Sequence, residues 1–338
     1  MNKSFSIYSK TPLVTICIIF PVWTSWFIFI GPTDAVGIVA DNWPVSLTMA
    51  FGSIIAGATS EGGGAVAFPI FTKILQVAPE ESKVFSLAIQ SVGMTAASTM
   101  IIAMRIQVEW RVIRWVSLGG IIGMLLGTVL LAPLLPPAAI KMSFTVMATS
   151  FAVTLFAMNH GIHLYNLNLS RYTVYEKSLM LIIGIVGGTM CGLVGNGIDI
   201  IAFSLMVLLF RISEKIATPT SVILMSINAI FGFFIHYFVI GGFNDKVEEY
   251  WLAAIPVVVV GAPLGAIICS TMSRRQIVNL LLLLILIEFV SSILLIRITK
   301  NIFFISLAIF VVFTLFNVWM MSNKTYESYA VNYQLPLK

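Results

Sequence analysis

The stretch that decides the fold runs from Val45 to Val77 and reads VSLTMAFGSIIAGATSEGGGAVAFPIFTKILQV. As one straight helix its 33 residues would measure about 50 Å, against a bilayer core of about 30 Å. It is broken near its middle by Gly57-Ala58-Thr59-Ser60-Glu61-Gly62-Gly63-Gly64. A second stretch of the same length, Ser178–Phe210, reads SLMLIIGIVGGTMCGLVGNGIDIIAFSLMVLLF. It carries Gly187-Gly188 and then Gly192-Leu193-Val194-Gly195-Asn196-Gly197-Ile198-Asp199. Glycine clusters and a mid-run acid do not belong in an uninterrupted lipid-facing helix.

The rest of the chain is as apolar as these two stretches. Of 338 residues, 59% are hydrophobic and 10% charged, and the mean hydropathy is +1.01. That excludes a secreted domain, a disordered regulator and a soluble enzyme. Apolar runs of about 20 residues recur from end to end, which predicts membrane-spanning helices. An outer-membrane barrel would instead alternate polar and apolar residues in short strands. The net charge of +5 reflects cytoplasmic loops, not a nucleic-acid interface. Cys17, Cys191 and Cys269 each lie inside an apolar run and make neither a disulfide framework nor a zinc site. No cofactor or metal is expected. A membrane enzyme would need His, Asp or Glu clustered at one face, and the three histidines, His160, His163 and His236, form no such set.

Eight runs have ordinary spanning length: Thr11–Ile30, Val84–Met104, Trp115–Leu135, Ala138–Met158, Ile216–Gly241, Trp251–Met272, Ile277–Ile296 and Ile302–Met321. Each broken stretch could cross the membrane or turn back. Counting Lys and Arg decides between these. If both cross, 11 of the 19 basic residues lie inside; if both turn back, 13 do. The turn-back topology also moves Arg105, Arg111 and Arg114 to the cytoplasm. The prediction is an all-α polytopic protein of eight transmembrane helices plus two re-entrant helical hairpins, in the cell (inner) membrane, with both termini cytoplasmic.

The two breaks share a phase. Gly57 and Gly192 are 135 positions apart, as are Gly62 and Gly197, while Gly123/Gly127 and Gly261/Gly265 repeat at an offset of 138. The expected organisation is an extra span in 1–44, a first repeat over 45–158, a cytoplasmic loop over 159–177, a second repeat over 178–297, and a final span and tail over 298–338. With one hairpin and three spans per unit, the second enters from the opposite face. Interrupted helices of an inverted repeat that meet at the midplane are a transporter design.

Irregular backbone at membrane depth is tolerated only where protein buries it or a cavity is lined by it. At each break a half-helix starts, with unpaired amides and a positive dipole end, and glycine lets an oxyanion approach. The expected substrate site is therefore the backbone at Gly62, Gly63 and Gly64 and at Gly195, Asn196 and Gly197, lined by Thr59, Ser60, Gln90, Ser91, Thr220 and Ser221. Neither break contains Lys or Arg, so neutral donors carry the binding. Glu61 and Asp199 are candidates for proton coupling or for satisfying the breaks' own amides. The mid-span Glu288 is left open. His236 is expected to make a helix-packing hydrogen bond, and the GxxxG pairs read as close helix contacts.

This pattern resembles the TauE/SafE sulfite-exporter family, also called the toluene-sulfonate uptake permease family. The resemblance rests on Ala56–Gly64 with Pro69 downstream, on Gly192–Gly197 with Asp199, on Ala217-Thr218-Pro219-Thr220-Ser221, and on Gly123/Gly127 and Gly261/Gly265. It covers about Val45 to Ile296. It implies a secondary transporter that moves a small sulfur-containing anion, sulfite or an organosulfonate such as sulfoacetate, out of the cell. Import of an organosulfonate or thiosulfate, coupled to protons, stays open as the alternative. Glu61 departs from the apolar residue usual at that place in the family. The expected partners are the anionic substrate and the lipid bilayer, without nucleic acid; a homodimer is left open.

Overall fold

The computed structural model describes residues 11–62, 71, 75, 77–159 and 165–326. Gly63, Gly64, His160 and His163 lie outside the described residues. These contain twelve helices and no strand: α1 Thr11–Ile30, α2 Pro32–Asp41, α3 Trp43–Ala58, α4 Pro79–Ala103, α5 Trp110–Leu125, α6 Pro137–Asn159, α7 Val174–Val194, α8 Ile198–Ser204, α9 Glu214–Phe234, α10 Asp245–Thr271, α11 Arg274–Leu295 and α12 Lys300–Ser322. π-Helical turns prolong α5 over Leu126–Leu131, α8 over Leu205–Leu209 and α9 over Ile235–Ile240. Nine helices among the described residues are long and apolar enough to cross a membrane.

Several helices start earlier than the apolar runs that announce them. α4 begins at Pro79, with Glu80 and Glu81 in its first turn. α10 begins at Asp245, where the Asn244 side chain accepts from Val247 N. Proline at the first helical position, acids in the first turn and capping side chains all stabilise a helix start. None of them is hydrophobic, so hydropathy passes over them.

Helix directions follow from residue contacts. A Cβ on Gly261 would lie 3.2 Å from Ala50 O, and one on Gly265 would lie 2.0 Å from Ile54 O, so α10 runs parallel to α3. Trp251 Nε1 donates to Ala88 O at 3.0 Å and Gly93 faces Val258, so α10 also runs parallel to α4. α3 and α4 therefore point the same way. Two successive crossing spans cannot do this, and α4 starts from the face at which α3 entered. In the second half, Gly123 and Gly127 pack on Ile185 O and Thr189 O, and Gly120 faces Asn228, so α5 runs parallel to both α7 and α9. Between α7 and α9 the chain doubles back: Gly187 abuts Ile198 and Gly197 abuts Met190. α7 is thus long enough to span, yet it serves as the first arm of a hairpin.

These are the same contacts made twice. Gly57 on Ala262 recurs as Gly192 on Met124, and Gly265 on Ile54 recurs as Gly127 on Thr189. The first arm of each broken stretch packs against the third element of the other half, and the halves interlock. At the centre α4 crosses α9 in antiparallel sense: the Thr95 and Ser226 hydroxyls are 2.9 Å apart, and Gly232 faces Leu87. Antiparallel packing of equivalent helices makes the repeat inverted. α1 flanks α10, where Trp26 Nε1 donates to Leu252 O at 2.9 Å. α12 flanks α6, where Thr314 and Asn317 both donate to Ser150 Oγ at 3.0 Å. These two flanking helices are the least buried of the nine, as outer lipid-facing spans should be.

The seams tolerate no side chain. Gly265→Val should lower the melting temperature and the yield of folded protein, since overpacking costs about 1–3 kcal/mol or more. Gly37→Ala, where a Cβ meets nothing within 4 Å, should melt at or above wild type. Equal melting of the two variants would contradict the close seam. For topology, cysteines placed at the exposed Glu80 and Lys215, in a background lacking Cys17, Cys191 and Cys269, should react with an impermeant maleimide from opposite sides. Reaction of both from one side would overturn the re-entrant arrangement.

Candidate functional site

The two breaks touch. α7 ends at Val194, and Gly195 takes a left-handed conformation with φ 86°, its N–H donating to Cys191 O at 2.7 Å. That places Asn196 against the first break, where its Nδ2 donates to Glu61 O at 2.5 Å. Asn196 and Glu61 are 135 positions apart, so each occupies the other's place in the repeat. Gly62, at φ 71°, lies beside the Asn196 amide, 3.1 Å from where a Cβ would stand. Gly197 N donates to both Asn196 Oδ1 (2.9 Å) and Asp199 Oδ1 (3.2 Å), and Ile200 N donates to Asp199 Oδ1 at 3.0 Å. Asp199 therefore satisfies amides of its own break, as the sequence had left open. Its Oδ2 has no hydrogen-bond partner among the described residues.

A cavity reaches from one face of the helix bundle down to this junction. Its empty space, mouth included, is about 1180 Å³. The start of α4 and the turn between α5 and α6 form the mouth, with Pro79, Glu80, Leu135 and Pro137; Ser86, Gln90 and Asn196 line the depth. Gln90 Nε2 donates to Gly195 O at 3.1 Å and to Ser86 Oγ at 2.6 Å, holding α4 to the second break. Gln90 Oε1 is buried without a partner among the described residues.

Two cations line the same cavity, Lys83 and Lys141. Lys141 Nζ sits 2.6 Å from Glu288 Oε1 and 5.0 Å from the centre of the Phe144 ring. Glu288 is wholly buried behind it and also accepts from Thr145 Oγ1 at 3.2 Å and Ser292 Oγ at 3.3 Å. Both cations lie outside the two breaks, on α4 and α6. Lys141 and Glu288 lie 147 positions apart, each an outlier in an apolar run. Only those two anomalies in the sequence hinted at a pair.

The other expected residues are distributed as follows. Thr59 is buried and donates to Ile55 O at 2.9 Å. Ser60 Oγ and both carboxylate oxygens of Glu61 are buried without a hydrogen-bond partner among the described residues. Ser91 donates to Ala88 O on its own helix. Thr220 Oγ1 donates to Ile216 O and accepts from Glu109 N at the start of α5, while Ser221 donates to Thr218 O. Of the expected residues that are described, Gln90 and Asn196 line the cavity, whereas Thr59, Ser60, Gly62, Ser91, Gly195, Gly197, Thr220 and Ser221 do not; the hydroxyls of Thr59, Ser91, Thr220 and Ser221 bond back to the helix, a common fate of such residues in spans. Buried His236 has neither ring nitrogen bonded among the described residues.

The opposite face is tied together. Arg274 Nε donates to Glu214 Oε2 at 2.6 Å, and its guanidinium also bonds Asn159 and Tyr165 while lying 3.8 Å over the Tyr165 ring. Tyr326 donates to Glu176 Oε1 at 2.7 Å, which pins the end of the described chain to α7. A smaller recess of about 510 Å³, lined by Gly57, Lys215, Pro219 and Cys269 among others, lies on that side.

Comparison with curated proteins and with solved structures gives no match. A family profile does match: "Sulfite exporter TauE/SafE" covers residues 45–292, from α3 through most of α11. Both breaks, both glycine seams and the cavity lie within that range. The chain is a multi-pass membrane protein of the TauE/SafE family, a family of transporters of sulfur-containing anions.

Proposed function

We propose that the chain exports a small sulfur-containing anion, sulfite or an organosulfonate such as sulfoacetate, across the cell membrane as a secondary transporter. The observation that carries this is the junction of the two breaks through Asn196 and Glu61 O, at the floor of a cavity open to one face. Ser60 and Gly62 stand next to Glu61 in the first break, off the cavity wall, while the cavity itself is lined by the Asn196 and Gln90 amides. An oxyanion has several acceptors to engage them at once, whereas a spherical halide uses fewer. Irregular backbone lining a cavity at such depth is where transporters bind their substrates.

The two repeats, over 45–158 and 178–297, supply one break each. Both termini are cytoplasmic in this proposal, from the distribution of Lys and Arg. The cavity mouth then faces outside, and the cluster around Arg274 closes the cytoplasmic side. Export is the downhill direction: with the inside negative, expelling one negative charge gains about 2.3 kcal/mol per 100 mV. The carboxylate oxygens of buried Glu61 and the Oδ2 of Asp199, which have no hydrogen-bond partner among the described residues, favour a second reading, proton-coupled import of an organosulfonate or thiosulfate, because a buried carboxyl can carry the proton that import needs.

Calorimetry on purified protein should give micromolar to millimolar affinity for sulfite or sulfoacetate and weaker binding of chloride. Gln90→Leu and Asn196→Ala should each weaken the anion about tenfold or more, since a hydrogen bond to a charged group contributes about 1.5–3 kcal/mol. Chloride binding as tightly as both sulfur anions, or unchanged affinity in both variants, would contradict the assignment.

A further inference from the structure

The Lys141–Glu288 pair is a buried ion pair with one side toward the cavity. Lys141 lines the cavity wall next to Asn196. Glu288 does not reach the cavity, and its side chain is 1% exposed. The pair is asymmetric in its bonding as well. Glu288 Oε1 takes Lys141, Thr145 and Ser292, whereas Oε2 is buried with no hydrogen-bond partner among the described residues. A buried ion pair is seldom a net source of stability, and well-packed apolar residues often do as well. Ionisable residues inside a membrane mark ion and substrate pathways. A pair that serves only packing would not need its ammonium group on the wall of a substrate cavity.

We propose that Lys141 is the counter-charge of the transported anion, held by Glu288 while the carrier is empty, and that anion binding moves Lys141 to the substrate while Glu288 takes up one proton. This rests on the cavity being the substrate site. The charges balance for the one anionic group that meets Lys141; the second group of a dianion such as sulfoacetate brings a charge that the pair does not offset. The empty site holds one ammonium and one carboxylate; the loaded site holds the ammonium, the anion and a neutral carboxylic acid. The proton comes from the bulk buffer, relayed through cavity water that is left neutral, and forms an O–H bond at Glu288 Oε2, the oxygen with no hydrogen-bond partner among the described residues. Thr145 and Ser292 remain to bond Oε1. One anion and one proton thus bind together: a monoanion then crosses without net charge, and the gain from the membrane potential remains only for a dianion such as sulfoacetate.

The surrounding charges suit such an exchange. From α6 only Lys141 faces Glu288. From the first break Glu61 lies within electrostatic reach of both Glu288 and Lys141, and Asp199 faces Glu61 in turn. On α9, which also packs on α11, Glu214 is bound to Arg274 about four turns away, and His236 faces Lys83. Among the described residues, Glu61 and Glu288 thus both lie within electrostatic reach of the Lys141 ammonium. An arriving anion adds a further negative charge, which a proton on Glu288 offsets.

The test uses the full chain, purified, with sulfoacetate as the probe, because its own groups do not titrate near neutral pH. Titrations in two buffers of different ionisation enthalpy count the protons bound with the anion. Wild type should take up about one proton per sulfoacetate. Glu288→Gln should bind sulfoacetate at least as tightly as wild type with no proton uptake. The double variant Lys141→Gln/Glu288→Gln removes both charges, which spares the fold an unpaired buried ion, and should bind at least about tenfold more weakly. Proton uptake persisting in Glu288→Gln, or undiminished affinity in the double variant, would overturn this role while leaving the cavity as the substrate site. Absence of sulfoacetate binding to folded wild-type protein would remove this inference. If sulfite is not bound either, the assignment of the cavity falls as well.

Discussion

Within a bilayer, a peptide group that leaves its helix has no water to turn to, and every such group needs a partner in the protein or in a cavity. The whole architecture depends on how two broken helices meet that requirement. At the second break Gly195 N returns to Cys191 O, while Gly197 N is shared between the side chains of Asn196 and Asp199. At the first, Glu61 O accepts the Asn196 amide. Each break is therefore completed in part by the other. That holds the two at one depth and brings residues 135 positions apart into hydrogen-bond contact.

Such a junction needs rigid walls, and the glycine seams supply them. Helices without side chains at the contact approach until backbone meets backbone, and in lipid this packing replaces the hydrophobic driving force that helices have in water. Ala262 O lies where a Cβ on Gly57 would be, and Met124 O does the same at Gly192. Because each seam joins an arm of one half to a span of the other, neither half can shift without moving its partner's break. Any rearrangement that opens the opposite face has to carry arm and span together.

The cavity adds electrostatics to this frame. A charge at such depth is costly unless paired, and Lys141 and Glu288 answer that cost with each other. Lys141 lines the cavity, and both members lie within electrostatic reach of Glu61 at the first break. The cytoplasmic side of the proposed orientation holds a different kind of polar cluster: Arg274, Glu214, Asn159 and Tyr165 bond among themselves, which suits closure.

The sequence by itself determined the class of the molecule and its plan. Apolar runs of spanning length, two glycine-broken stretches too long for one helix, their common phase and the placement of Lys and Arg depend only on the order of residues along the chain. Those features led to an inverted repeat with re-entrant hairpins, and among the expected site residues to Gln90 and Asn196, which line the cavity. What the hydroxyl-rich stretches would do was not legible. Thr220 and Ser221 sit as close to a break in sequence as Gln90 does, yet their hydroxyls serve their own helix and the start of α5. Which face of a fully buried helix meets the cavity depends on neighbours, and a helix that is apolar all round gives no amphipathic signal. The counter-charge was hidden for the same reason. Lys141 near the start of one span and Glu288 within another are separate anomalies along the chain, and only the packing of α6 against α11 makes them a pair.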